Sequence, residues 1–116
     1  MHLKNFSLLR EDGGAWRLAD AYDLLPVKLL LPEDTEEMAL TLNGKKARID
    51  DGDFRVFAKA IGLNERQTDH AFSRIADSLA AHLDDVLSVS LLSDEFASRF
   101  KKLVRSNLDR LVARRE

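Results

Sequence analysis

The reading turns on two neighbouring stretches, Met1-His2-Leu3-Lys4-Asn5-Phe6-Ser7-Leu8-Leu9 and Ala21-Tyr22-Asp23-Leu24-Leu25-Pro26. Asn5 lies just before a short apolar run, and Asp23 follows a second run beyond the turn Glu11-Asp12-Gly13-Gly14. Two glycines in succession allow the backbone to reverse, so Phe6–Arg10 and Ala15–Leu18 read as the arms of a hairpin. Such a hairpin carries Asn5 and Asp23 to the same end, where two oxygen-bearing side chains would form part of a metal site.

Working outward, Pro26 and Pro32 punctuate an irregular or short helical stretch, because each disfavours helix at the residue before it. Glu33-Asp34-Thr35-Glu36-Glu37 is an acidic loop. Met38–Leu42 and Lys45–Ile49 flank Asn43-Gly44, the preferred pair for a two-residue reversal, and the spacing predicts a second hairpin with Met38, Leu40 and Leu42 on one half-buried face.

From Asp50 the period becomes helical. Asp51 or Asp53 is expected to cap a short helix bearing Phe54, Phe57, Ala58 and Ile61, which Gly62 ends. Asn64 with Gln67 forms a capping box for a second helix, whose apolar stripe is Phe72, Ile75, Ala76, Leu79, Leu83, Val86 and Leu87. Ser93 caps a third helix with Phe96, Phe100, Leu103, Val104, Leu108 and Leu111 inward, and its cations suit a helix C-terminus. The expected class is α+β: two hairpins, then three helices with the last two packed antiparallel. We read 1–116 as a single domain, with a hairpin part at 1–50 and a helical part at 51–116.

Composition bounds the function. The 116 residues are 45% hydrophobic and 33% charged, enough apolar material for a packed domain and far from disorder. A net charge of −2 predicts no general attraction to nucleic acid or anionic lipid. The absence of Cys removes disulfides and thiolate metal sites and fits a reducing, cytoplasmic setting. Pro26, Lys28 and Pro32 break the most apolar run, Leu24–Leu31, too early for a membrane span. No secretory leader is visible, and no Gly-rich phosphate loop.

His2-Leu3-Lys4-Asn5-Phe6-Ser7-Leu8-Leu9, the spacing to Tyr22-Asp23-Leu24-Leu25, Leu29–Asp34 and Leu40-Thr41-Leu42-Asn43-Gly44-Lys45 together resemble the C-terminal part of HipA-family serine/threonine kinases, toxins of type II toxin–antitoxin modules. The resemblance runs from Met1 to about Ile61 and continues as a helical tail. It implies a fold like the lower part of the kinase large lobe. It implies that Asn5 and Asp23 hold Mg2+ against the phosphates of ATP. In kinases the base Asp stands five residues ahead of that Asn, which here would precede Met1, so no catalytic residue is assigned within 1–116. Lys4 could approach a transferred phosphate, and His2 could support the catalytic loop from beneath.

The resulting expectation is a C-terminal portion of a HipA-like kinase, inactive by itself and holding Mg2+ and ATP only weakly. Its expected partners are an upstream kinase lobe, an antitoxin or a second copy. The alternative is a non-catalytic interaction or oligomerisation module, a split toxin subunit. A third reading, nucleic-acid binding through Lys101–Arg115, ranks behind both, because an amphipathic stripe with dipole-compatible cations accounts for that segment without a ligand. His70 and His82 are too far apart along one helix to share an ion, and Asp84 and Asp85 read as a solvated helix end.

Overall fold

A computed structural model describes residues 3–112. They form two compact units, Met1–Ala47 and Arg48–Glu116, which are described separately.

The first unit opens with a 3-10 turn, Leu3–Asn5, followed by strands β1 (Leu8–Arg10) and β2 (Trp16–Leu18). The strands pair antiparallel with Leu8 opposite Leu18, Leu9 opposite Arg17 and Arg10 opposite Trp16. Gly13, at φ 74, supplies the left-handed residue that the reversal needs. Cross-strand partners share a face, so Leu8, Leu18, Arg10 and Trp16 lie together, with the Arg10 guanidinium 5.8 Å from the Trp16 ring centroid. Leu8, Trp16 and Leu18 are each about three-fifths exposed on this face.

Pro26 precedes a single helical turn, α1 (Val27–Leu30). The predicted second hairpin is reduced to a turn. Asn43 and Gly44 both adopt positive φ, 50° and 75°, as a type I′ reversal requires, yet only the isolated bridge Leu42–Lys45 forms. Two features stop the ladder. The amides of Glu37 and Met38 both donate to the Lys46 carbonyl, a two-against-one pairing, and Arg48 turns left-handed at φ 52. Alternation fails accordingly: Leu42 is buried, Met38 half-buried and Leu40 exposed.

The second unit holds α2 (Asp51–Ala60), α3 (Glu65–Ser88) and α4 (Asp94–Val112). The cap of α2 is Asp50 rather than Asp51 or Asp53. Its carboxylate accepts from the Asp53 amide while the Asp53 carboxylate accepts from the Asp50 amide, an acidic version of the capping box. Gly62, at φ 87, donates its amide to the Lys59 carbonyl and closes the helix. Asn64 and Gln67 then form the reciprocal box expected of α3, with both bonds at 2.9 Å. Ser93 Oγ accepts from the Phe96 amide at the start of α4.

The half-buried apolar positions of α3 are Phe72, Ala76, Leu79, Leu83 and Leu87, a stripe stepping by three or four. Ile75 and Val86, expected inside, are exposed, because a narrower stripe suffices for a helix packed along one side. In α4 the stripe Phe96, Phe100, Leu103, Val104, Leu108 and Leu111 is half-buried as expected. On α2, Phe54 meets Phe72 edge-on at 5.7 Å and Ala58 is buried, whereas Phe57 and Ile61 are exposed. Lys101 reaches Asp84 at 2.5 Å and ties α4 to α3. The class is α+β, one hairpin plus helices.

Candidate functional site

The 3-10 turn delivers Asn5, and the chain leaving β2 delivers Asp23. Beyond the ladder the pairing persists through the Ala19 amide, which donates to the Ser7 carbonyl at 2.8 Å. The hydroxyls of Tyr22 and Ser7 share a 2.6 Å hydrogen bond, and Tyr22 Oη also donates to the Lys4 carbonyl at 3.4 Å. These contacts fasten the Asp23 loop onto the Asn5 turn. Asp23 sits at φ 55, a left-handed conformation that Asp tolerates better than most side chains but that still costs of order 1 kcal/mol.

The structure brings Asn5 and Asp23, the two residues expected to be ligands, into contact. Asn5 Nδ2 donates to Asp23 Oδ2. A carboxylate only accepts, so the amide nitrogen faces Asp23 and Asn5 Oδ1 is left over. That oxygen is buried without a partner, in a residue only 4% exposed. An orphaned buried oxygen is costly unless something else satisfies it. A neutral amide oxygen beside a carboxylate is the hard, all-oxygen donor set that Mg2+ takes. No cluster of three or more His, Asp or Glu able to hold a metal occurs among the described residues. Two protein ligands completed by phosphate and water is, however, the ordinary arrangement for Mg2+ at a nucleotide.

Asn5 and Asp23 both line a cavity of about 500 Å3. The rest of its lining is apolar at Leu24, Leu25, Val27, Met38 and Ala39 and polar at Asp34, Glu36, Glu37 and Lys46. Lys46 Nζ bonds both Glu36 carboxylate oxygens at 3.2 and 3.1 Å, and Lys28 Nζ meets Glu37 at 2.7 Å. Asp34 accepts the Glu36 amide at 2.9 Å. These acidic-loop residues were legible only as loop. The placement of Lys46 beside them depends on the Asn43-Gly44 reversal, which the sequence does show.

Lys4 is exposed and is not part of the cavity lining, so its side chain gains no support from this geometry. His2 lies outside the described residues, as do Arg114 and Arg115 of the basic segment.

The second unit carries a separate polar cluster. Asp51, 3% exposed in the first turn of α2, accepts from Arg55 Nε at 2.7 Å, and Arg55 Nη2 reaches Asp69 of α3 at the same distance. Those two hydrogen bonds, foremost the one to Asp51, raise the Arg55 pKa well beyond its ordinary value. Arg55 thus acts as a strap between helices.

The sequence model of the HipA-like C-terminal domain matches residues 1–83. The chain belongs to this family. The match spans the hairpin, the cavity, α2 and most of α3, and so contains both Asn5 and Asp23. No curated protein matches the chain. No helix among the described residues of this HipA-like domain is long and apolar enough to cross a membrane.

Proposed function

We propose that this HipA-like domain supplies the metal-holding face of a serine/threonine protein kinase of the toxin–antitoxin type, working in the cytoplasm. Asn5 and Asp23 are the residues that would hold Mg2+. The carrying observation is the buried, unpartnered Oδ1 of Asn5 next to the Asp23 carboxylate, in the wall of the cavity. Mg2+ bound to ATP would neutralise charge on the phosphates during transfer to a hydroxyl. The part of this chain is positional: the Ser7–Tyr22 clamp and the Asp23 backbone turn keep the two oxygen donors together before a nucleotide arrives. In this reading an upstream kinase lobe, the proposed partner, supplies the nucleotide cradle and the catalytic base.

The deciding experiment titrates the chain with Mn2+, a paramagnetic stand-in for Mg2+, and follows amide signals by NMR. Selective broadening at Asn5 and Asp23, abolished by Asp23→Asn, supports the reading; broadening confined to other carboxylates contradicts it. Transfer from labelled ATP, with an upstream HipA-type lobe supplied, should be lost in the same variant.

A second reading, a non-catalytic interaction module, is favoured by the face formed by Leu8, Trp16 and Leu18, exposed on a two-stranded sheet that is marginal by itself. An upstream lobe, an antitoxin or a second copy would cover it. Sedimentation across concentration tests the last: a strictly monomeric chain at high concentration removes self-association. Direct nucleic-acid binding gains less, since Lys101 is already engaged by Asp84.

A further inference from the structure

Two apolar features of the second unit lie at opposite ends of α3. Where the chain turns from α3 into α4, Val86 and Val89 are 61% and 82% exposed, Leu91 is fully exposed and Leu92 is exposed as well. Single exposed aliphatic residues are ordinary, but these four have only serines and the half-buried Leu87 between them and make one continuous patch. At the other end, the α2–α3 corner holds a cavity of about 450 Å3 lined by the exposed Val56 and Leu63 together with Arg55, Lys59, Asn64 and Glu65. A cavity of that size has room for aliphatic side chains.

Charge relates the two. From Val86 to Glu95 the only charged residues are Asp94 and Glu95, both exposed and without an ion pair or side-chain hydrogen bond among the described residues. The cavity lining carries two cations against one acid, Glu65. Arg55 is held by Asp51 and Asp69, whereas Lys59 is exposed and has no such partner among the described residues. An apolar, acidic tip thus complements an apolar, cationic cavity.

The two cannot meet within one chain. The 24 residues of α3 span about 36 Å, the cavity takes Glu65 and Thr68 from the first turn, and the tip follows the last.

We propose that the α3–α4 tip of one copy seats in the α2–α3 cavity of a second copy, with Leu91 against Val56 and Leu63 and the Asp94–Glu95 pair beside Lys59. The two surfaces differ, so the contact is head-to-tail, and each copy that donates its tip keeps its own cavity for the next. One tip covers little area, so the association is weak and rises with concentration. Neither surface includes Asn5 or Asp23, and the inference is independent of the kinase reading.

Sedimentation velocity across concentration at low salt tests it. The mean mass of the parent should climb beyond two chains. Leu91→Glu and Val56→Glu should each hold the chain monomeric; both positions are exposed, and thermal melts check that the fold is kept. Mixed one to one, these variants should associate again and stop at two chains, because one intact tip and one intact cavity remain between them. Lys59→Glu replaces an attraction with a repulsion and should weaken association by about tenfold. A parent that stays monomeric, a Leu91→Glu chain that associates as the parent does, a folded pair of variants that stays monomeric when mixed, or a Lys59→Glu chain that associates unchanged overturns the proposal. Association lost in Trp16→Glu and kept in Leu91→Glu overturns it as well and assigns self-association to the hairpin face.

Discussion

The side-chain nitrogen of Asn5 donates to the carboxylate of Asp23, eighteen residues further along the chain. That contact fixes which atom of each side chain remains for a ligand, and it predicts a separation of stability from function. Asn5→Ala or Asp23→Asn should weaken Mn2+ binding by about tenfold or more, the range seen when oriented groups at a metal site are removed. The melting temperature should change little, since Asn5→Ala removes a costly unpartnered buried oxygen together with the bond, and Asp23→Asn keeps an oxygen that can accept from Asn5. A calorimetric metal titration beside a thermal melt checks both.

Asp23→Gly sharpens the separation. Glycine adopts φ 55 without steric cost, but the change also leaves the buried Asn5 amide without its acceptor and frees the unfolded chain, so the net loss of stability should stay at about 1 kcal/mol while metal binding is destroyed. Urea melts with and without Mn2+ distinguish that outcome from simple unfolding. A variant that binds metal as well as the parent would remove Asp23 from the site.

Arg55 carries the strap in the second unit. Arg55→Leu strands the buried Asp51 carboxylate, whose Oδ1 already lacks a partner, and should cost about 2 kcal/mol after allowing for the partial exposure of the guanidinium. The double variant Asp51→Leu with Arg55→Leu should recover part of that loss, because removing both charges leaves none stranded. Chemical denaturation of the three variants forms the cycle.

Asp84 gives the second unit a pH signature. Its hydrogen bond to Lys101, helped by Arg105 nearby, holds the carboxyl below its ordinary value of 3.8. The folded value is therefore below the unfolded one. The contribution is present above 3.8 and is lost as the pH falls below it. Melts at pH 5 and pH 3 should show a smaller acid loss in Asp84→Asn than in the parent, and salt should shrink the difference, because the pair is exposed.

Gly62→Ala should cost about 1 kcal/mol, entirely from the left-handed backbone at φ 87, since nothing lies within 4 Å of the added carbon. Gly62→Asn should cost less. Thermal melts rank the two, and equal penalties would point to packing rather than backbone.

Local signals were legible and cooperative ones were not. The Asn64–Gln67 box, the Ser93 cap, the Gly62 stop and the α4 stripe all appear as read, because each depends on residues a few positions apart. The second hairpin failed at Arg48 and at the doubled bonding to Lys46, features set by pairing rather than by alternation. The α2 cap moved by one residue because three aspartates compete within Asp50–Asp53, and only the reciprocal geometry selects Asp50. Ile75, Val86 and Phe57 satisfied the period yet lie exposed, since periodicity marks a face and not its width. At the site, Asn5 and Asp23 were legible by resemblance. Asp34, Glu36 and Lys46 required the loop and the reversal to be seen together in space.

The corner between α2 and α3 has a kinetic consequence. Gly62, Asn64, Gln67 and Thr68 close it by bonds spanning only three to five residues: Gly62 to Lys59, Leu63 to Ala58, Asn64 with Gln67, and Thr68 to Asn64. Closing such short loops is fast, so this corner can form ahead of any distant pairing. It sets the direction in which α3 leaves α2 before α4 exists to pack on it. Substitutions at Asn64 should therefore slow refolding nearly in proportion to the stability they remove, whereas those at Leu103 or Leu108 should act mainly by hastening unfolding.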